Sequence, residues 1–247
     1  MQRLLFLLAV LSIAFSVSPA SAAADQPAAQ RHLVYTFDVG IQNDSHDTNS
    51  AVRFNGEGNG SVVTGTGDTQ YQGTGSDMGQ ISVDVQGVET DGGLVVSVSE
   101  QAKKYRTAGA TTCVVYANTN VVCGAGTVNP EEISVMRTLS PHFFDSTALD
   151  AKKHWHEGSD AAGIGIDYTV MGIDNGIVTI DAQRNEKFQG STRGTTSSTA
   201  KYTYDMNKLM PTAITEYTTI REETGPGQYS NITIDLKATL ATDSGKG

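Results

Sequence analysis

The clearest regularity along this chain is an apolar residue at every second position. Leu33, Tyr35, Phe37, Val39 and Ile41 are apolar, with polar Thr36, Asp38 and Gln42 on alternate positions. Successive side chains of a strand point to opposite faces, so this stretch predicts a strand with one buried and one wetted side. The same period returns near the end, where Ile232, Ile234, Leu236, Ala238 and Leu240 alternate with Asn231, Thr233, Asp235, Lys237 and Thr239. Between them lie residues 79–99, GQISVDVQGVETDGGLVVSVS, and an imperfect second copy at residues 163–182, GIGIDYTVMGIDNGIVTIDA. Ile81, Val85 and Gly87 stand at the same mutual spacings as Ile166, Val170 and Gly172. Asp91-Gly92 and Asn175-Gly176 then supply residues that tolerate the positive φ of a tight hairpin turn. Each copy predicts strand, turn, strand, and together they predict a duplicated antiparallel protein.

Less regular stretches fill in the order of elements. Residues 42–50 read as a polar loop and 51–54 as a short strand, while the Gly/Thr/Ser-rich residues 55–79 predict an edge hairpin or a flexible flap. Residues 101–109, with Lys103, Lys104 and Arg106 around Tyr105, predict a solvated strand end and a loop. Residues 184–199 form a looser polar stretch and 201–204, KYTY, a further strand. Residues 213–221 and 229–240 predict a last hairpin around Thr224-Gly225-Pro226-Gly227.

A different period interrupts this pattern once. Asn129-Pro130-Glu131-Glu132 offers an N-cap, a proline suited to the first helical position and a capping-box carboxylate. Ile133, Met136 and Leu139 follow on one helical stripe before Ser140-Pro141, which predicts a short helix over residues 130–139. The connector after it holds Phe143, Phe144 and Trp155, rings expected to anchor it to the core.

The fold class predicted is mainly β: an antiparallel sheet of long strands from two duplicated halves, forming a barrel, a half-barrel or a sandwich, with one short helix in the middle. The organisation predicted is a signal peptide over 1–22, a disordered lead-in over 23–31, a first β half over 32–128, a helix and aromatic connector over 129–160, a second β half over 161–241 and a disordered tail over 242–247.

Composition adds compartment and partners. Arg3, an apolar run over residues 4–17 and Ala20-Ser21-Ala22 have the three parts of a cleaved secretory signal. Export to a periplasmic or extracellular space follows, and no later apolar run is long enough for a membrane-spanning helix. The chain has 17 basic and 27 acidic residues; losing Arg3 leaves 16 against 27, or −11. Nucleic acid would meet net repulsion, and no basic cluster interleaved with aromatics offsets it. Cys113 and Cys123, in CVVYANTNVVC, lie symmetrically about Asn118. A hairpin turning there sets the sulfurs across from each other, so an oxidising compartment predicts one disulfide, worth roughly 2.5 to 3 kcal/mol in the loop-entropy account.

Candidate chemistry is sparse. His154 and His156 flank Trp155, and in a strand both imidazoles share a face. A zinc or copper ion is conceivable there, with Glu157, Asp160, Asp150 or His142 as a third ligand. Surface histidines around a buried tryptophan are the plainer reading. The pairs Glu131-Glu132 and Glu222-Glu223 face opposite ways if extended, which argues against a glycosidase pair. No nucleophile elbow, phosphate loop or calcium loop is found, and no catalytic residue or cofactor is assigned.

Three functions remain. The favoured one is a non-catalytic binding or carrier module for an apolar small molecule or lipid, because the apolar face of such a sheet exceeds what one short helix and one connector can cover. Its candidate ligand-facing residues are Tyr35, Phe37, Val83, Val85, Tyr168, Ile234 and Leu236. In general plan this arrangement resembles the half-barrels of exported lipoprotein carriers, a likeness of architecture without a shared motif. The alternatives are a structural or interaction protein of the cell envelope with no ligand cavity, and a hydrolase or metal-dependent enzyme using the region of His154 and His156.

Overall fold

The computed structural model describes residues 31–47, 61–64, 69–104, 107–126, 128–139, 154–159, 163–189, 193–208, 210–225 and 227–245. The expected signal peptide and Phe143 and Phe144 lie outside these residues, as do His142, Asp150 and Asp160. The chain is mainly β, with strands β1 (Arg31–Asp47), β2 (Ser61–Thr64), β3 (Thr69–Val88), β4 (Leu94–Ala102), β5 (Thr107–Val115) and β6 (Val121–Cys123) before the helix α1 (Pro130–Thr138). Strands β7 (His154–Ser159), β8 (Ile164–Asp174), β9 (Ile177–Gln189), β10 (Arg193–Asp205), β11 (Met210–Gly225) and β12 (Gln228–Gly245) follow it.

All strands belong to one antiparallel sheet, in the order β6-β5-β4-β3-β1-β12-β11-β10-β9-β8-β7, with β2 beside the first residues of β3. The first and last long strands therefore meet in the middle, and each half of the chain unrolls outward from that seam by hairpins. The path ends at β6 and β7, which do not pair, so the sheet is open. Among the described residues the sheet does not close into a barrel and no second sheet stacks on it, since every described strand belongs to this one sheet. The open sheet nevertheless curls. Thr119, in the turn between β5 and β6, is hydrogen-bonded to Tyr168 on β8, bringing the two margins together at one point.

Several strands run longer than alternation predicted. β1 and β3 pair without interruption from Arg31↔Val85 to Asp47↔Thr69, so the expected loop at 42–47 and the expected edge or flap at 69–79 are regular strand. Polar side chains there hide the strands from alternation, since backbone pairing needs no apolar face. β12 likewise extends into the expected tail, where Arg31 makes two hydrogen bonds to Asp243, at 2.9 and 2.8 Å. The polar stretch at 184–199 is also ladder, shared by β9 and β10.

The two hairpins singled out by their sequences have matching irregularities. Val85 pairs with Val96 but Gly87 with Val95, leaving Gln86 as an extra residue in β3. Val170 pairs with Ile180 but Gly172 with Thr179, leaving Met171 as the extra residue in β8. Cys113 and Cys123 are direct cross-strand partners and form the disulfide, with Cα atoms 4.0 Å apart.

The core lies on one face of the sheet. Leu33, Tyr35, Phe37 and Val39 of β1 are buried there with Ile81 and Val83 of β3, Ile214 of β11 and Leu236 of β12. Val135, Met136 and Leu139 of α1 are fully buried against it. Glu132 accepts the backbone N–H of Asn129 at 2.8 Å, the capping-box contact the sequence predicted. At the other end the Tyr204 hydroxyl donates to the Thr138 carbonyl at 2.7 Å, satisfying one of the acceptors a helix leaves open.

Candidate ligand cleft

Cross-strand partners point to the same face, so the register turns the inner face into rows that run across the strands. One row is Trp155, Tyr168, Ala182, Ala200, Glu216, Leu236 and Val39. The next holds Glu157, Ile166, Arg184, Ser198, Thr218 and Ile234, and a third holds Glu186, Thr196, Ile220 and Ile232. Inward positions that are apolar near the seam thus become charged beneath α1. The helix adds Arg137 from its last turn and Ile133 one turn earlier.

Two adjoining openings flank these groups. One, of about 190 Å³, lies between α1 and β9–β12 over Ile220, Ile234 and Leu236. The other, of about 480 Å³, lies between the β5–β6 turn and β7–β9. Ile133, Arg137, Arg184 and Glu186 border both, so the two openings adjoin along these side chains and together make up the cleft.

Its electrostatics are unusual for a core. Burial lowers the Arg137 guanidinium to about 10, and the charge of Arg184 pushes the same way against the pull of Glu216 and Glu186. No hydrogen bond or ion pair among the described residues holds that guanidinium. Arg184 is paired with Glu186 through Nη2, while its buried Nε has no acceptor. Glu216 takes the Thr218 hydroxyl at 3.0 Å. Burial, with the charge of Glu216 next, holds the Tyr202 phenol well above its ordinary value.

Around the N-cap of α1 three carboxyls are buried together. Glu100 is 3% exposed, Glu131 8% and Glu132 1%. The Asn129 amide donates to Glu100 at 3.0 Å, and the Glu131 side chain lies close enough to Glu100 to favour its protonated form. Burial raises Glu100 to about 7, the Asn129 hydrogen bond opposes this, and Glu131 and Glu132 add to the rise.

The residues proposed from sequence are distributed as follows. Ile234 and Leu236 line the cleft. Tyr35, Phe37, Val83 and Tyr168 are buried in the packed core, with Val85 partly buried at its edge. His154 and His156 both lie exposed on β7, the first 3.2 Å from the Thr169 hydroxyl and the second 2.9 Å from Asp167. Glu157, adjacent to His156 in the strand, belongs to the opposite, inner face. No group of three or more metal-ligating side chains occurs among the described residues. Arg137, Arg184, Glu186 and Glu216 were not singled out from the sequence. Their signal was parity: Arg184 and Glu186 continue the inward series Val178, Ile180, Ala182, and Glu216 follows Ile214 two residues on.

No protein-family model matches the chain, and no curated protein matches it.

Proposed function

We propose that the chain is an exported, non-catalytic binding or carrier module whose ligand, an apolar small molecule or lipid, occupies the cleft between α1 and the inner face of the sheet. The observation that carries this reading is the unequal covering of that face. One nine-residue helix lies across an eleven-strand path, and beside it an opening persists over Ile133, Ile220, Ile234 and Leu236. Apolar surface left in a concave site is what a hydrophobic ligand covers. The disulfide suits an oxidising, extracytoplasmic compartment. We further propose that the halves arose by duplication, on the matching sequences and bulges of the β3–β4 and β8–β9 hairpins.

The test is native mass spectrometry of the protein purified from its own host without detergent. A one-to-one adduct lost on organic extraction is the expected result, and a bare chain would sink the proposal. A second reading, a structural or interaction protein, is favoured by one observation. Tyr35, Phe37, Val83 and Tyr168 already fill the inner face near the seam with the protein's own side chains.

A further inference from the structure

We infer that the polar end of the cleft recognises a single negative charge, so that the ligand is a monoanionic amphiphile held by Arg137 and Arg184 with its chain over Ile220 and Ile234. This rests on the cleft reading above and specifies the class of ligand. Four observations lead to it. Arg137 is largely enclosed, borders both openings and has no hydrogen-bond or ion-pair partner among the described residues. A second guanidinium, Arg184, faces the same space and carries a buried N–H without an acceptor. The two cations raise each other's energy in a poorly solvated site, a cost that an anion between them would remove. The wall beyond them is apolar at Ile220, Ile234 and Ile133, which suits a hydrocarbon chain rather than a fully polar anion.

The surrounding acids limit the charge. Glu186 is engaged by Arg184, and Glu216 accepts from Thr218, so both remain as fixed negative neighbours. A dianionic head would meet twice their repulsion at close range, whereas a single charge between the two guanidiniums keeps that repulsion to its least. A carboxylate or a phosphodiester meets this requirement equally.

The experiment is calorimetric titration of the delipidated mature chain with oleate, 1-oleoylglycerol and lysophosphatidylglycerol, each below its micelle concentration. The expected result is oleate or lysophosphatidylglycerol binding at least tenfold tighter than the neutral glyceride. Arg137→Gln should abolish that preference, weakening the two anions at least tenfold more than the glyceride, and Arg137→Lys should retain part of it. Tighter binding of lysophosphatidylglycerol would locate the charge in a phosphodiester, and tighter binding of oleate in a carboxylate. Equal binding of all three, or an anion preference that survives Arg137→Gln, overturns the inference while the apolar cleft stands. If none of the three binds, both readings fall. Thermal melting of each variant separates loss of recognition from loss of fold.

Discussion

At one margin of the sheet the last two strands, β5 and β6, are tied by Cys113–Cys123; at the other, β7 is held to β8 by the stacking of Trp155 on Tyr168, with ring centroids 4.9 Å apart. The two solutions follow from what each end strand can bury. β6 has three residues and no large side chain, so its packing is too small to hold it without a covalent link. β7 has six residues and contributes the chain's one tryptophan, a ring large enough to fix it by burial. The margins then meet through Thr119 and Tyr168, so each also supports a wall of the cleft.

This contrast can be broken from either side. Trp155→Ala removes a stacked, buried ring and should cost about 3–5 kcal/mol in urea unfolding, the larger effect. Changing both cysteines to serine should cost roughly 2.5–3 kcal/mol, provided the denatured chain is otherwise unconstrained. An equal or larger loss from the cysteine variant would show that the aromatic margin is the weaker anchor.

A second pair of sites tests whether the two halves use the same packing device. Gly79 lies opposite Phe37 across the β1–β3 ladder, and Gly194 opposite Phe188 across β9–β10. A Cβ at either glycine would run into the facing ring and a backbone carbonyl, of Gln101 in the first case and Arg221 in the second. Alanine at each should therefore cost about 1–3 kcal/mol through overpacking. By contrast, a Cβ at Gly87 or Gly172, beside the matching bulges, would meet nothing within 4 Å. Alanine there should change stability by about 0.5 kcal/mol or less, measured by the same denaturation.

A pH-dependent effect distinguishes the two ends of α1. Its C-terminal end is held by the Tyr204 hydroxyl, whereas its N-cap Asn129 also donates to the buried, titratable Glu100. Because Glu100 in the folded chain stands above its ordinary 4.5, at about 7, the folded state holds the proton more tightly than the unfolded one. Stability from this group is complete below about pH 4.5 and is lost as pH rises through about 7. Melting temperature should fall across that interval, and Glu100→Gln should flatten the slope. A slope unchanged in that variant would assign the effect to other groups.

What was legible in the sequence came from local geometry. The alternation at residues 33–41 and 232–240, the Asn175-Gly176 turn and the Asn129-Pro130 helix start each involve groups within a few residues, so their physics is written in order along the chain. The disulfide belongs to the same class, because a single hairpin turn sets Cys113 opposite Cys123. The cleft does not. Arg137 comes from the helix, Arg184 from β9, Glu216 from β11 and Ile234 from β12, and nothing in any one segment says that they meet. Their odd parity was visible as charge at inward positions. Whether those charges would be solvated or enclosed depended on the sheet curling until Thr119 reached Tyr168, and on α1 lying across it. The alternating strand segments, the helix and the bridge could be read directly from the order of residues, since each is governed by near neighbours in the chain. Only the tertiary structure decided that the sheet stays open and that two arginines share one poorly solvated space, because burial is a property of distant segments brought together.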